Sequence, residues 1–373
     1  MLERQLAVID VRAGEAMESQ SGLQMNAPRI YGALIEPPGR KRWAAVVMHP
    51  TSNFMGHYLI EPLARAGICC LGVNSRYAGS DVVLLMERVI QDLGAAIHFL
   101  RGRGYERILL IGNSGGGALA AFYQAQAENL TVTRTPAGDP IVIDPSDLPP
   151  ADAIALSAAH LGRSRLFVEW IDPCVQDEHD PLAIDPSLDL YGSANSPPFP
   201  PAFVDRFRSA QRARRDRIEA WAIARLAQLR AIPGGPRDEA FVIHKTQADP
   251  RLLDLTLDAN DRPPGSIWGP ARQVNQAANA MGRFTTLTAF LSQWSSRSQA
   301  DGPANLAKTT APVLLLEHTA DGSTFPSTRD AWLAAAPGRI RHHALKGANH
   351  YLQGQPHLIA ETAERIAAFV EDC

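Results

Sequence analysis

The sequence has few of the features that mark secreted, metal-binding or nucleic-acid-binding proteins. It contains four cysteines, and two of them, Cys69 and Cys70, are adjacent in an apolar run, so they do not suggest a disulfide framework. No spacing of cysteine and histidine matches a zinc site, and we therefore expect no metal. The net charge is −3 over 373 residues, which favours neither nucleic acid nor an anionic membrane as a partner.

Long apolar runs are also missing. None approaches the roughly 20 residues that a membrane span needs, so we expect no span. The first twenty residues lack a basic segment followed by an apolar one, and we expect no signal peptide. With so few cysteines, a reducing cytoplasm is the expected location. The oligomeric state stays open, with a homodimer among the alternatives.

Continuous apolar runs alternate with helical patterns in two parts of the chain. Such runs predict strands at residues 43–48, 68–73, 107–111, 153–157 and 312–316. Strands that are apolar on both faces are typical of a parallel sheet covered by helices on each side. We therefore expect an α/β fold with a mostly parallel central sheet.

Residues 160–305 break this alternation. The segment begins with scattered prolines and then carries two predicted helices, at residues 203–230 and 277–296. Because one compact core rarely holds 373 residues, we expect a core at 1–159 and 306–373 and a mainly helical insertion at 160–305. The first of these helices is rich in arginine, which indicates a solvated face, with anion binding as the alternative.

A strand-to-helix turn at residues 109–117 carries the most informative motif. Its sequence, LLIGNSGGG, contains Gly-x-Ser-x-Gly with Ser114 at the apex. Gly112 and Gly116 suit a tight turn, because a Cβ there would press on a neighbouring strand or helix. The motif lacks the Lys-Ser/Thr of a P-loop and the spacing of a dinucleotide fingerprint. We therefore predict that Ser114 is a nucleophile.

Two further residues complete a catalytic set. A serine hydroxyl needs a base within reach and a group that orients the base. Asp321 follows the strand near residue 315, and His350 follows a last strand predicted near residues 340–345, so both are expected at the same sheet edge as Ser114. Glu317 competes for the role of the acid but lies too early in its strand. His49 is expected to shape its own loop rather than to serve as the base.

On these residues the chain resembles the α/β-hydrolase superfamily. The resemblance rests on residues 112–116, 312–321 and 347–350 and on the His49-Pro50-Thr51 loop, and it covers residues 29–159 and 305–373. It implies a nucleophile, acid and base in the order Ser114, Asp321, His350, with no metal or organic cofactor. The insertion lies where this superfamily carries its cap or lid.

The resemblance also implies an oxyanion hole made of two backbone N–H groups. The first belongs to Gly115, directly after the nucleophile. Many relatives have His-Gly in the loop that supplies the second, but this chain has His-Pro, and proline has no N–H to donate. Thr51 is the expected donor, with Ser52 as the alternative. Ser52, Arg76 and Tyr77 are candidates for substrate contacts.

The expected function is that of a serine hydrolase. It would cleave a carboxylic ester, lactone or thioester through an acyl-enzyme, and the large insertion favours a bulky, partly apolar small-molecule substrate in an enclosed pocket. One alternative is a C–C bond hydrolase of diketones or ring-cleavage products. The turn that carries the nucleophile in those enzymes resembles residues 112–114. The other is a non-catalytic ligand receptor on the same fold.

Overall fold

A central sheet of eight strands organises the protein. We describe it from a computed structural model, which describes residues 2–13, 28–39 and 41–373. Strands are numbered in chain order, and those of the central sheet are β1 (Arg4–Asp10), β2 (Arg29–Ile35), β3 (Trp43–His49), β4 (Cys69–Asn74), β5 (Arg107–Asn113), β6 (Ala153–Ser157), β11 (Val313–His318) and β12 (Ile340–Leu345). Their order is β1-β2-β4-β3-β5-β6-β11-β12. From β4 to β12 all neighbours are parallel, whereas β2 is antiparallel to both β1 and β4.

Helices cover both faces of this sheet. They are α1 (Ile60–Arg65), α2 (Met86–Gly102), α3 (Gly116–Glu128), α9 (Pro326–Ala335) and α10 (Pro356–Glu371). Side chains of α2, α3 and α9 pack on one face, and those of α1 and α10 pack on the other. All seven residues of β3 are buried, because alternate side chains enter the two cores. The predicted α/β fold with a mostly parallel sheet is confirmed.

The parallel pairing fixes where the functional loops meet. β6 pairs in parallel with β5 on one side and with β11 on the other, and β12 adds to β11 in the same direction. The loops that leave the carboxyl ends of these strands therefore emerge at one edge of the sheet. Open parallel sheets bind their ligands at this edge.

The insertion between β6 and β11 contains both helices and strands. Its helices are α4 (Arg163–Trp170), α5 (Pro201–Arg230), α6 (Ala271–Gln276), α7 (Leu287–Gln293) and α8 (Gly302–Leu306). Two small antiparallel sheets accompany them, β7 (Val175–Asp177) with β8 (Asp180–Ile184) and β9 (Ala240–Val242) with β10 (Phe284–Thr286). A separate hydrophobic cluster, formed mainly by α5 and α7, holds the segment together.

One helix prediction within the insertion is wrong in detail. The helix predicted at residues 277–296 begins only at Leu287, because residues 284–286 pair with β9 instead. The predicted boundary between residues 305 and 306 falls inside α8, which packs against α3 of the core. The long helix predicted at 203–230 is confirmed and starts two residues earlier.

One arginine of α5 is buried rather than solvated. Gln211 and Arg214 interrupt the buried apolar stripe of the helix, and both are fully buried. Arg214 forms a two-pronged ion pair with Glu178, with N–O distances of 2.7 and 2.6 Å. It also donates to the backbone carbonyls of Asp172 and His244. These contacts tie α5 to two other parts of the insertion.

No helix in the described part of the chain combines the length and the apolar character that crossing a membrane requires.

Candidate active site

The turn after β5 places Ser114 in a strained position at the sheet edge. Its φ angle is +55°, in the left-handed region that non-glycine residues seldom adopt. A Cβ on Gly112 would lie 2.8 Å from the Cα of Gly117, and one on Gly116 would lie 2.4 Å from the carbonyl oxygen of Met48. Both glycines are therefore required for the close approach of strand and helix that forces this turn.

The three residues predicted to act together form one chain of hydrogen bonds. His350 Nε2 lies 3.0 Å from Ser114 Oγ, and His350 Nδ1 lies 2.7 Å from Asp321 Oδ2. Ser114 and His350 are separated by 236 positions in the sequence. His350 lies in the turn between β12, which ends at Leu345, and α10, which begins at Pro356. All three side chains are buried.

Asp321 is held as a charged acceptor. Its carboxylate accepts hydrogen bonds from the Ser323 N–H at 2.7 Å and the Thr324 hydroxyl at 2.6 Å, besides the one from His350. Burial raises the pKa of Asp321, but the charge and hydrogen bond of His350 and the Thr324 bond outweigh it and lower the pKa to about 2. An ionised carboxylate here keeps the proton of the imidazole on Nδ1 and leaves Nε2 free to face Ser114.

A second histidine, which sequence reasoning missed, packs against His350. His160 stacks on His350 with the ring centroids 5.3 Å apart, and its Nε2 lies 2.7 Å from Ser323 Oγ. Burial lowers the pKa of His160 to about 3, so the ring is neutral and does not repel a protonated His350. The available signal was its position, three residues after the end of β6.

The loop after β3 differs from the expected oxyanion loop. The N–H groups of Thr51 and Ser52 both donate to Nδ1 of His49, at 3.0 and 2.8 Å. The expectation that Thr51, or else Ser52, offers its N–H to the oxyanion is therefore not met, because the ring of His49 occupies both donors. Gly115 stands at the start of α3, and no residue in the described ranges accepts a hydrogen bond from its N–H.

A cavity of about 500 Å³ opens in front of Ser114. Both parts of the chain line it. The core contributes His49, Thr51, Ser52, Gly79, Ser80, Asp81, Ser114, Gly115 and Tyr351, and the insertion contributes His160, Arg163, Leu166, Trp268, Val274, Ala277, Asn279, Ala280 and Met281. The side towards the insertion is largely apolar, whereas the side towards the sheet is polar.

Two of the predicted pocket residues lie elsewhere. Arg76 turns away from the cavity to form a buried ion pair with Asp92 of α2, with an N–O distance of 2.7 Å. Tyr77 is only 3% exposed and belongs to the hydrophobic core. Both predictions were wrong, because the loop after β4 folds back onto α2. Ser52, the third candidate, does line the cavity.

Arg163 is a cavity residue that the sequence did not reveal. It is the first residue of α4 and donates to the Thr51 hydroxyl at 2.8 Å and to Asp81 at 3.2 Å. Its guanidinium lies 4.9 Å from the ring centroid of Trp294. Burial lowers the pKa of Arg163, while Asp81 favours its charge. The side chain thus joins the insertion to the loop after β3.

Other sites are less suited to chemistry. A cavity of about 570 Å³ lies within the insertion between α5 and β9, but none of Ser114, Asp321 and His350 lines it. Within residues 2–13, 28–39 and 41–373, no group of three or more histidine, cysteine, aspartate or glutamate side chains could hold a metal ion.

Comparison with solved structures defines the class of this fold. The α/β hydrolase GrgF from Penicillium sp. sh18 is 11% identical, with 97% of this chain and 98% of that chain covered and a TM-score of 0.53. DcsB, solved in complex with its substrate analogue, is 12% identical, with 99% of each chain covered and a TM-score of 0.54. The protein thus has the α/β-hydrolase fold, as the resemblance implied.

The sequence itself carries a weaker signal. No protein-family model matches the chain, and no curated protein matches it. At 11–12% identity the similarity to solved structures shows the fold alone. The chemistry of this protein therefore has to be argued from its own residues.

Proposed function

We propose that this protein is a serine hydrolase that cleaves a carboxylic ester, lactone or thioester through an acyl-enzyme. The observation that carries the proposal is the hydrogen-bonded series Ser114–His350–Asp321, of which Ser114 lines the cavity. A nucleophile, a base and an orienting acid in this arrangement are what acyl transfer from an ester requires.

The first half-reaction forms the acyl-enzyme. Ser114 Oγ attacks the carbonyl carbon of the substrate while His350 Nε2 takes the hydroxyl proton. The charge of Asp321 stabilises the resulting imidazolium. When the tetrahedral intermediate collapses, the bond to the leaving oxygen or sulfur breaks and His350 returns the proton to that atom.

The second half-reaction releases the acid. His350 takes a proton from a water molecule, whose oxygen attacks the acyl carbon. The bond to Ser114 Oγ then breaks, and the proton on His350 returns to the serine. The N–H of Gly115 is directed to the oxyanion in both halves, where one such donor is typically worth about 3 kcal/mol.

The insertion acts in this proposal as a cap. It contributes the apolar wall of the cavity, including Leu166, Trp268 and Met281. A cavity of about 500 Å³ accommodates a ligand of moderate size, and its apolar wall favours a partly apolar acyl or alcohol group. Arg163 couples the cap to the loop next to the nucleophile.

Active-site labelling tests the proposal. A fluorophosphonate probe is expected to label wild-type protein on Ser114, and p-nitrophenyl butyrate is expected to be hydrolysed. Ser114→Ala should lose the label and at least roughly 10⁴-fold in kcat/KM, whereas Ser146→Ala, at an exposed serine outside the site, should match wild type.

The same assay separates the alternatives. Turnover of a β-diketone with none of any ester would favour a C–C bond hydrolase. Absence of both labelling and turnover in folded protein would favour a ligand receptor. Retained turnover in Ser114→Ala would refute the assignment of the nucleophile.

A further inference from the structure

We propose that the side chain of His49 is the second oxyanion donor, so that its Nε2–H and the Gly115 N–H together bind the developing negative charge. The proposal rests on the proposed hydrolase function. From the fold class, the second oxyanion donor was expected to be a backbone N–H of the loop after β3. The proposal gives this role to a side chain of the same loop instead.

The hydrogen bonds of the loop determine which nitrogen of His49 carries the proton. Nδ1 accepts from the N–H groups of Thr51 and Ser52, at 3.0 and 2.8 Å, and therefore has no proton of its own. Burial, with smaller contributions from the charges of Arg163, His160 and His350, lowers the pKa of His49 well below 6.5. The ring is consequently neutral at physiological pH, with its single proton on Nε2.

The position of Nε2 suits an oxyanion donor. A Cβ built on Gly115 would lie only 2.6 Å from His49 Nε2, so the ring edge reaches the residue after the nucleophile. His49 lines the same cavity as Ser114. In the part of the chain that the structure describes, nothing accepts a hydrogen bond from Nε2, so the proton on Nε2 is available to a ligand in that cavity.

The loop sequence explains why a side chain would take this role. Pro50 has no N–H, and the next two N–H groups are directed to Nδ1. Hydrogen bonds accepted at Nδ1 polarise the ring and make the Nε2–H a stronger donor. The start of α3 lies beside it and adds the favourable end of the helix dipole. The imidazole of His49 thus donates to the oxyanion in place of a backbone N–H of the loop.

Two substitutions of His49 distinguish the role of its Nδ1 from the role of its Nε2. In His49→Asn the side-chain oxygen replaces Nδ1 as acceptor for the loop, but no donor reaches the position of Nε2. In His49→Gln the terminal amide can place an N–H near the position of Nε2, but the acceptor for the loop is lost. A purely structural role of His49 and a catalytic role therefore predict opposite rankings of these variants.

Kinetics with p-nitrophenyl butyrate give the test. We expect His49→Asn to lower kcat by roughly 10²–10³-fold with little change in KM, because the bond forms in the transition state, and His49→Gln to recover a substantial part of the loss. His57→Gln is the matched control. His57 is also buried, accepts a backbone N–H through Nδ1 and packs on Phe54, but it does not line the cavity, so its kcat should stay near that of wild type.

A measurement on wild-type protein covers the case in which a variant fails to fold. Diethyl p-nitrophenyl phosphate transfers a diethylphosphoryl group to Ser114 Oγ and releases p-nitrophenolate, which leaves a P=O oxygen at the oxyanion position. Nitrogen-15 NMR of histidine-labelled protein should then show His49 protonated on Nε2, with its Nε2–H resonance moved downfield by the adduct.

The outcomes are distinguishable. If wild type turns over the ester but His49→Asn equals wild type, or if His49 carries its proton on Nδ1, the role of His49 is refuted while the hydrolase function stands. If wild type is neither labelled nor active, the proposed function itself fails. A ranking with Asn far above Gln would assign His49 to loop structure alone.

Discussion

Replacing Asp321 by asparagine removes a negative charge that accepts hydrogen bonds from three donors. The carboxylate accepts from His350 Nδ1, the Ser323 N–H and the Thr324 hydroxyl, and it is fully buried. The Ser323 N–H donates to Oδ1, whereas the Thr324 hydroxyl and His350 Nδ1 both face Oδ2. Because the Ser323 N–H can only donate, an amide keeps its oxygen on that side and turns its NH₂ group towards His350. That group favours the tautomer with the proton on Nε2, and His350 then cannot accept the proton of Ser114.

The expected loss in activity is therefore much larger than the loss in stability. A base held in the wrong tautomer typically lowers kcat by about 10⁴-fold, or about 5.5 kcal/mol of transition-state stabilisation. The pKa of Asp321 lies at about 2 instead of 3.8, which corresponds to about 2.5 kcal/mol in favour of the folded, charged form. Because this pKa is depressed, the contribution is present above pH 3.8 and is lost as the pH falls through about 2.

The assay compares Asp321→Asn with Glu317→Gln, by kcat/KM on p-nitrophenyl butyrate and by urea unfolding at pH 7. Glu317 lies on β11, the strand that precedes Asp321, but its carboxylate is bound to Arg329 and His342, at 3.0 and 2.8 Å, and not to His350. Glu317→Gln should therefore leave kcat/KM nearly unchanged. Activity of Asp321→Asn within tenfold of wild type, or a larger defect in Glu317→Gln, would refute the assignment of the acid.

Two further predictions concern stability. Arg214→Gln should lower the free energy of unfolding by about 3–5 kcal/mol, because it leaves Glu178 and two carbonyl groups without their partner. Arg212→Gln, at an exposed position on the same helix, should change it by less than about 0.5 kcal/mol. Equal effects of the two substitutions in urea titrations would contradict the structural role of Arg214. Burial raises the pKa of Glu87 from 4.5 to about 7, so the unfolding free energy should fall by up to about 3 kcal/mol as the pH rises from 4.5 to 7. Glu87→Gln should flatten this slope, and an unchanged slope would show that other groups cause it.

Local pattern was enough to predict the sheet and the turn of the nucleophile. Apolar strands and a glycine-rich turn are signals within a few residues of one another, and the strain at Ser114 follows from Gly112 and Gly116. Asp321 and His350 could be predicted despite their distance from Ser114, because parallel strands bring their carboxyl ends to one edge.

Residues that depend on the packing of distant elements were not predictable. Arg163 and Trp268 reach the cavity only because the insertion folds over the sheet edge. Arg76 follows a core strand just as Ser114 does, yet it forms an ion pair with Asp92 of α2 and does not line the cavity. No pattern along the chain distinguishes these two cases.

In the loop after β3, His49 shows both what the sequence determines and what only the tertiary structure decides. The sequence by itself determined that Pro50 cannot donate an N–H and that a strand ends at His49. Only the tertiary structure decided that the N–H groups of Thr51 and Ser52 meet Nδ1 and that Nε2 comes to lie beside Gly115. Backbone chemistry is a property of the residue, whereas the direction of a ring is set by all the elements packed around it.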